Sequence, residues 1–196
     1  MNKVIKDWVI ALCFAIIAAL FFRTWFYTPY SIPTSSMSQT IEIGDHIFID
    51  KHTYGFSIPF TEKKIFKNNV SRGDIIVFPY PIEPRIDYVK RVIGIPGDEI
   101  QIFGETVFIN GEEEDAGYLY FDPKLLTIPE NIKTIVPEGK LWVMGDNRRN
   151  SKDSRFWGFV DENTVIGKAT MIFWSHDPEE NIFGGYKLDR IGTIVK

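Results

Sequence analysis

The charge-free run from Trp8 to Phe22, WVIALCFAIIAALFF, constrains this chain more than any other feature. A helix that is apolar on every side does not face water. It is covered by a core or by lipid, or it is removed as a leader. Its fifteen residues fall short of the roughly 20 that span a bilayer. Counting on through Arg23, Thr24, Trp25, Phe26 and Tyr27 supplies the missing length. Arg23 can snorkel there, and the aromatic rings suit the interface. Lys3 and Lys6 ahead of the run favour an inside N-terminus. A cleaved leader and a buried core helix remain open as readings, although Arg-Trp-Phe-Tyr after the run makes a poor cleavage site. The expectation is a tail at 1–7, a transmembrane anchor at 8–27, and a body at 28–196 on the extracytoplasmic side.

The body reads as mainly β. Apolar and β-branched segments of strand length are divided by turn residues. They are Ile41–Asp50, Asp74–Phe78, Asp87–Ile95, a hairpin formed by Glu99–Phe103 and Thr106–Asn110, Leu141–Met144, and Val165–Trp174. Pro29 and Pro33 bracket an extended connector. Two stretches, 51–70 and 104–140, lack a clear pattern and read as variable loops or an inserted region. The first carries Lys63, Lys64 and Lys67; the second holds the acidic cluster Glu112–Asp115, a candidate solvated loop. No long amphipathic helix or repeat appears beyond the anchor. The net charge of -4 and the lack of a basic tract argue against a nucleic-acid partner. Cys13 is the single cysteine, so no internal disulfide and no cysteine-based metal cluster can form.

Three places could carry chemistry. Pro33-Thr34-Ser35-Ser36-Met37 sets three hydroxyls behind a proline, a pattern that taken alone is a turn. In a strand over Asp87–Ile95, Lys90 and Arg91 point to opposite faces. Unless that strand is an exposed edge, at least one cation is driven inward. Arg keeps its proton, whereas a buried Lys can lose it and act as a general base. The competing reading is a Lys90 that snorkels or pairs with Asp87 or Asp74. The third place is Gly145 to Arg155, a polar segment tethered by the aromatic stretch after it, in which Asp153 and Arg155 could pair. His46, His52 and His176 have no metal spacing, and no G-x-S-x-G elbow, P-loop or dinucleotide fingerprint is present.

Taken together these segments resemble the type I signal peptidases, membrane-bound serine proteases with a Ser/Lys dyad. Pro33–Met37 looks like the nucleophile box and Arg72–Phe78 the strand segment that follows it. Asp87–Asp98 is similar to the general-base box, and Gly145–Arg148 through Ser154–Gly158 to the last box. The resemblance implies Ser36 as nucleophile and Lys90 as a neutral general base. It implies an oxyanion hole from the Ser36 N–H and the Thr34 hydroxyl. Ser151 would hydrogen-bond Lys90, Asp153 and Arg155 would hold the framework, and Asp146 and Arg148 would fix the loop. Ser35 is left as a spacer. The implied partners are exported preproteins cut after Ala-x-Ala-type ends, the lipid bilayer and a nearby export translocon, with no cofactor and no metal. The implied location is a cell membrane, single-pass, with a cytoplasmic N-terminus. Gln39 stands where many members have Pro and Arg149 where many have an acid. The alternatives are a membrane-tethered non-catalytic β-module, a self-cleaving Ser/Lys repressor type, and a His-dependent hydrolase.

Overall fold

The computed structural model of the chain describes residues 3–25, 27–57, 64–65, 68–114, 117–120, 131–181 and 184–196. It opens on helix α1 (Lys3–Trp25). The helix starts inside the expected tail because no Gly or Pro between Lys3 and Asp7 interrupts it. Its side chains are described from residue 4 to residue 18, and these are exposed, Trp8 and Phe14 each at 73%. At about 1.5 Å per residue that stretch is about 22 Å long. Among the described residues no helix is long and apolar enough to cross a membrane. The fold by itself therefore does not establish the anchor, and Phe26 lies outside the described residues.

The body is mainly β. Its strands are β1 (Tyr27–Ser31), β2 (Asp45–Asp50), β3 (Phe56–Ser57), β4 (Lys64–Ile65), β5 (Ile75–Pro79), β6 (Asp87–Gly94), β7 (Glu99–Phe103), β8 (Thr106–Ile109), β9 (Glu112–Glu113), β10 (Ile132–Ile135), β11 (Lys140–Met144), β12 (Val160–Asp161) and β13 (Gly167–Ser175). One short helix, α2 (Ser154–Trp157), follows β11. The principal sheet runs β1-β2-β13-β5-β6-β11-β12, and a smaller one runs β10-β7-β8-β9.

β5 lies inside the large sheet and is buried on both faces, which explains its unbroken apolar sequence. Ile75 and Val77 pack with Ile47, Ile49 and Ile172 on one face. Ile76 and Phe78 pack with Val92, Val143 and Val160 on the other. A third cluster, including Ile93, Ile100, Val107 and Trp142, joins the two sheets.

Several boundaries move from the sequence reading. The strand placed at Ile41–Asp50 begins only at Asp45. Before it the chain turns through Gly44 at φ 89, and a Cβ there would lie 2.0 Å from the His176 carbonyl oxygen. The Pro29 connector is itself strand; β1 is an edge strand, where a missing N–H is tolerated. The 51–70 stretch contains the short β3–β4 pair. Lys63 and Lys67 fall outside the described residues, as do 115–116 and 121–130 of the 104–140 stretch. The described part of that stretch builds the small sheet.

Candidate active site

β6 is flanked by β5 and β11. Lys90 lies opposite Ile76 of β5, and Arg91 opposite Met144 of β11. Both cations are consequently buried, each at 3% exposure. Their partners differ. Arg91 gives Asp146 two hydrogen bonds of 2.8 and 2.7 Å, bonds the Gly73 carbonyl at 2.9 Å, and lies 3.9 Å from the Tyr118 ring centre. Lys90 has no carboxylate partner among the described residues. Asp74 is taken by the Tyr54 hydroxyl at 2.8 Å and by Lys168, and Asp87 by the Tyr30 hydroxyl at 2.9 Å. The pairing of Lys90 with Asp74 or Asp87 considered from sequence is thus absent.

Lys90 Nζ instead donates to Ser36 Oγ at 2.6 Å and to the Val89 carbonyl at 2.9 Å. It lies 5.2 Å from the Tyr88 ring centre. Burial strips water from the ammonium and lowers its pKa from 10.5 to about 8, against the pull of Asp153 and Asp146 and with a small push from Arg155. The amine is therefore poised to exchange a proton with the serine hydroxyl at neutral to mildly alkaline pH.

Ser36 sits in a turn fixed from behind. Its carbonyl accepts the Asn147 N–H at 3.1 Å. Ser35 is more than a spacer. Its carbonyl accepts from the Ser38 N–H, the Ser38 hydroxyl at 2.7 Å and Asn147 Nδ2 at 3.1 Å, while its hydroxyl accepts from Asn150 Nδ2 at 3.0 Å. The sequence reading missed Asn147 and Asn150. Their one signal was the density of Asn in a polar segment, which does not say what they bond. Thr34 is exposed and lines a groove of about 350 Å³ with Ser36, Tyr88, Val89, Lys90 and Asn150. Neither the Thr34 hydroxyl nor the Ser36 N–H is hydrogen-bonded among the described residues, and both residues line the groove.

The 145–155 segment closes over this turn. Asp153 and Arg155 pair at 2.8 Å, both buried, and Asp153 accepts the Gly145 N–H at 3.0 Å. Arg155 reaches the Arg148 carbonyl at 2.7 Å. Arg148 pairs with Glu114 at 2.7 Å. Glu114 is thereby drawn inward, whereas the acidic cluster was expected to be solvated; Glu112 and Glu113 are exposed, and Asp115 is not described. Asp146 also accepts the Thr40 hydroxyl at 2.5 Å. Ser151 departs from the implied role. It is buried, but its hydroxyl has no partner among the described residues and does not bond Lys90, whose Nζ is turned to Ser36 and Val89. Ser151 packs against Gly145. A Cβ on Gly145 would lie 2.3 Å from Ser151 Oγ and 2.4 Å from the Ser36 carbonyl oxygen.

Gln39 adopts φ 74, a value proline cannot reach, so this turn excludes the proline that the family resemblance led one to expect there. Arg149 turns outward to Glu105 at 2.5 Å. The histidines lie elsewhere: His46 meets the Phe173 ring, His176 bonds the Asn181 carbonyl at 3.1 Å, and none of the three lines the groove.

Known proteins resemble the chain throughout. Residues 5–174 match the family described as signal peptidase, peptidase S26. The chain is 34% identical to signal peptidase I of Buchnera aphidicola subsp. Schizaphis graminum (strain Sg), over 88% of this chain and 76% of that one. It is 32% identical to signal peptidase IB of Staphylococcus aureus (strain COL), over 89% and 92% respectively. A crystal structure of a signal peptidase I from Enterococcus faecalis V583 is 33% identical, covering 52% of this chain and 97% of that chain at a TM-score of 0.45. The chain therefore belongs to the signal peptidase family, peptidase S26, and is a serine endopeptidase.

Proposed function

We propose that this enzyme removes signal peptides from exported preproteins, with Ser36 as nucleophile and Lys90 as general base. The observation that supports this most is the buried 2.6 Å contact between Lys90 Nζ and Ser36 Oγ, made by a lysine with no carboxylate partner among the described residues. Neutral Lys90 takes the hydroxyl proton as Ser36 Oγ attacks the scissile carbonyl. The Ser36 N–H and Thr34 hydroxyl receive the developing oxyanion. Lys90 then passes its proton to the nitrogen of the leaving chain; neutral again, it takes a proton from the water that attacks the acyl-enzyme and returns it to Ser36 Oγ as the ester bond breaks. Ser151, buried beside Gly145 with no hydroxyl partner among the described residues, holds Lys90 only once Ser36 is acylated and no longer accepts from it. Asp153, Arg155, Asp146 and Arg148 keep the segment behind Ser36 in place. The substrate lies extended in the groove. Residues 87–90 pair with β5 on one side, and β11 pairs with β6 only from Arg91 onward, so one edge is open to an added strand. The bond cut follows small last and third-last residues of the Ala-x-Ala kind.

The enzyme works at a cell membrane, single-pass, with its N-terminus cytoplasmic and its β-body on the extracytoplasmic side near the export translocon. Supporting this, α1 has 23 residues, about 34 Å at 1.5 Å each. Apolar side chains from residue 4 to 18 are exposed around the helix, an area that lipid covers far better than water. Ser36 follows the end of the helix by only eleven residues.

The test is cleavage of an Ala-x-Ala preprotein by full-length enzyme in detergent. Ser36→Ala and Lys90→Ala should each abolish it with folding intact. The rate should climb about tenfold from pH 7 to pH 9 and level off, following the neutral fraction of a base titrating near 8. A non-catalytic tethered module predicts no cleavage by wild type, and a flat profile from pH 6 to 10 would remove Lys90 as the base.

A further inference from the structure

The groove at Ser36 has a neighbour across the turn that carries the nucleophile. A second depression of about 430 Å³ is lined by Ser35, Ser38, Glu42, Asp177, Glu179 and Lys187, among others. Ser35 lines both, so the Ser35–Ser38 turn forms the ridge between them. That ridge is rigid, because the Ser35 carbonyl and hydroxyl are tied to Ser38, Asn147 and Asn150. The depression is therefore a fixed continuation of the groove.

Its charge is one-sided. Lys187 and Glu42 pair at 3.1 Å, and Arg190 adds a second cation to Glu42 at 3.3 Å. Asp177 and Glu179 pair with no cation among the described residues. Among the described residues the Asp177 carboxylate accepts only the Glu179 N–H, at 3.0 Å. On the signal-peptidase reading, the chain on the amino-terminal side of the scissile bond lies in the groove lined by the 30–34 and 86–90 segments. The chain beyond the bond must leave past Ser36. At about 3.3 Å per extended residue, the second to fourth residues after the bond reach roughly 7–13 Å from it, enough to cross the ridge.

We infer that this depression receives the first few residues of the mature protein and that Asp177 and Glu179 favour cationic side chains there. The inference rests on the signal-peptidase reading of Ser36 and names where the released product leaves the site. Glu179 is exposed and Asp177 half-buried, so their effect is modest and salt-sensitive.

The experiment uses full-length enzyme in detergent and two preproteins identical except for Lys or Glu at the second to fourth mature positions. At low ionic strength the Lys form should show a KM about threefold to fivefold below that of the Glu form, with similar kcat. The gap should narrow as salt is raised to about 0.5 M. Asp177→Asn with Glu179→Gln should shrink it, and Asp177→Lys with Glu179→Lys should invert it, an inversion that a merely misfolded variant cannot produce. Equal KM values for the two substrates in the wild type, or a preference unchanged in the charge-reversed enzyme, would overturn the inference. Failure to cleave either substrate would instead remove the reading of Ser36 on which it rests.

Discussion

Replacing Lys90 with Met should make the protein more stable at neutral pH while leaving it inactive. In the unfolded chain the amine titrates at its ordinary 10.5, and in the folded protein at about 8. Below pH 8 both states hold the proton, and the folded state bears the full cost of a buried, unpaired ammonium. Between pH 8 and 10.5 the unfolded state holds a proton that the folded state has released, so stability rises with pH across that window. Above 10.5 neither state holds it and the cost is gone. At about 1.36 kcal/mol per pH unit the cost below pH 8 is about 3 kcal/mol. Met keeps the apolar stem and removes the charge. It also removes the hydrogen bond to Ser36, about 1 kcal/mol. The net expectation is a variant about 2 kcal/mol more stable than wild type at pH 7, near 6 °C in Tm for a chain of this size. Above pH 10.5 the order should reverse by about 1 kcal/mol. Urea unfolding of both proteins in the same detergent at pH 7, 9 and 10.5 measures this, and taking the difference cancels titrations common to the two. A Lys90→Met protein less stable than wild type at pH 7, or a difference that does not change with pH, would refute the buried-ammonium account.

Substitutions at two further positions probe the turn that carries Ser36. Gly145→Ala should cost several kcal/mol and most of the activity, because its Cβ has 2.3 and 2.4 Å to Ser151 and the Ser36 carbonyl oxygen; full activity with unchanged stability would show that the turn can retreat. Gln39→Gly should stabilise by about 0.5–1 kcal/mol at the φ of 74, whereas Gln39→Pro should destabilise. Thermal melts of the two variants decide it, and a stabilising proline would mean that the turn has another conformation.

Much of the architecture was legible because strand signals are local. The apolar runs that became β5, β7, β8, β11 and β13 are found within a few residues of where turn chemistry bounds them. The order of Ser36, Lys90 and the 145–155 segment along the chain was enough for the family resemblance. Where the reading slipped, the cause was distant in sequence. Gly44 meets the His176 carbonyl, Glu114 follows Arg148 inward, and Ser35 is held by Asn147 and Asn150 from more than a hundred residues away.

Lys90 and Arg91 divide the two kinds of information most clearly. Alternation along one strand determined that these adjacent cations face opposite ways, and covering that strand on both sides required at least one to be buried. Which of them would keep its charge was not a property of the strand. β11 delivers Asp146 to Arg91, while Lys168 with Tyr54 and Tyr30 occupy Asp74 and Asp87, the two carboxylates the sequence offered as partners for Lys90. The lysine is left with a serine hydroxyl for a partner. Only the tertiary structure could decide that, because the stability of a buried charge depends on which counter-charges the fold brings within a few ångströms of it.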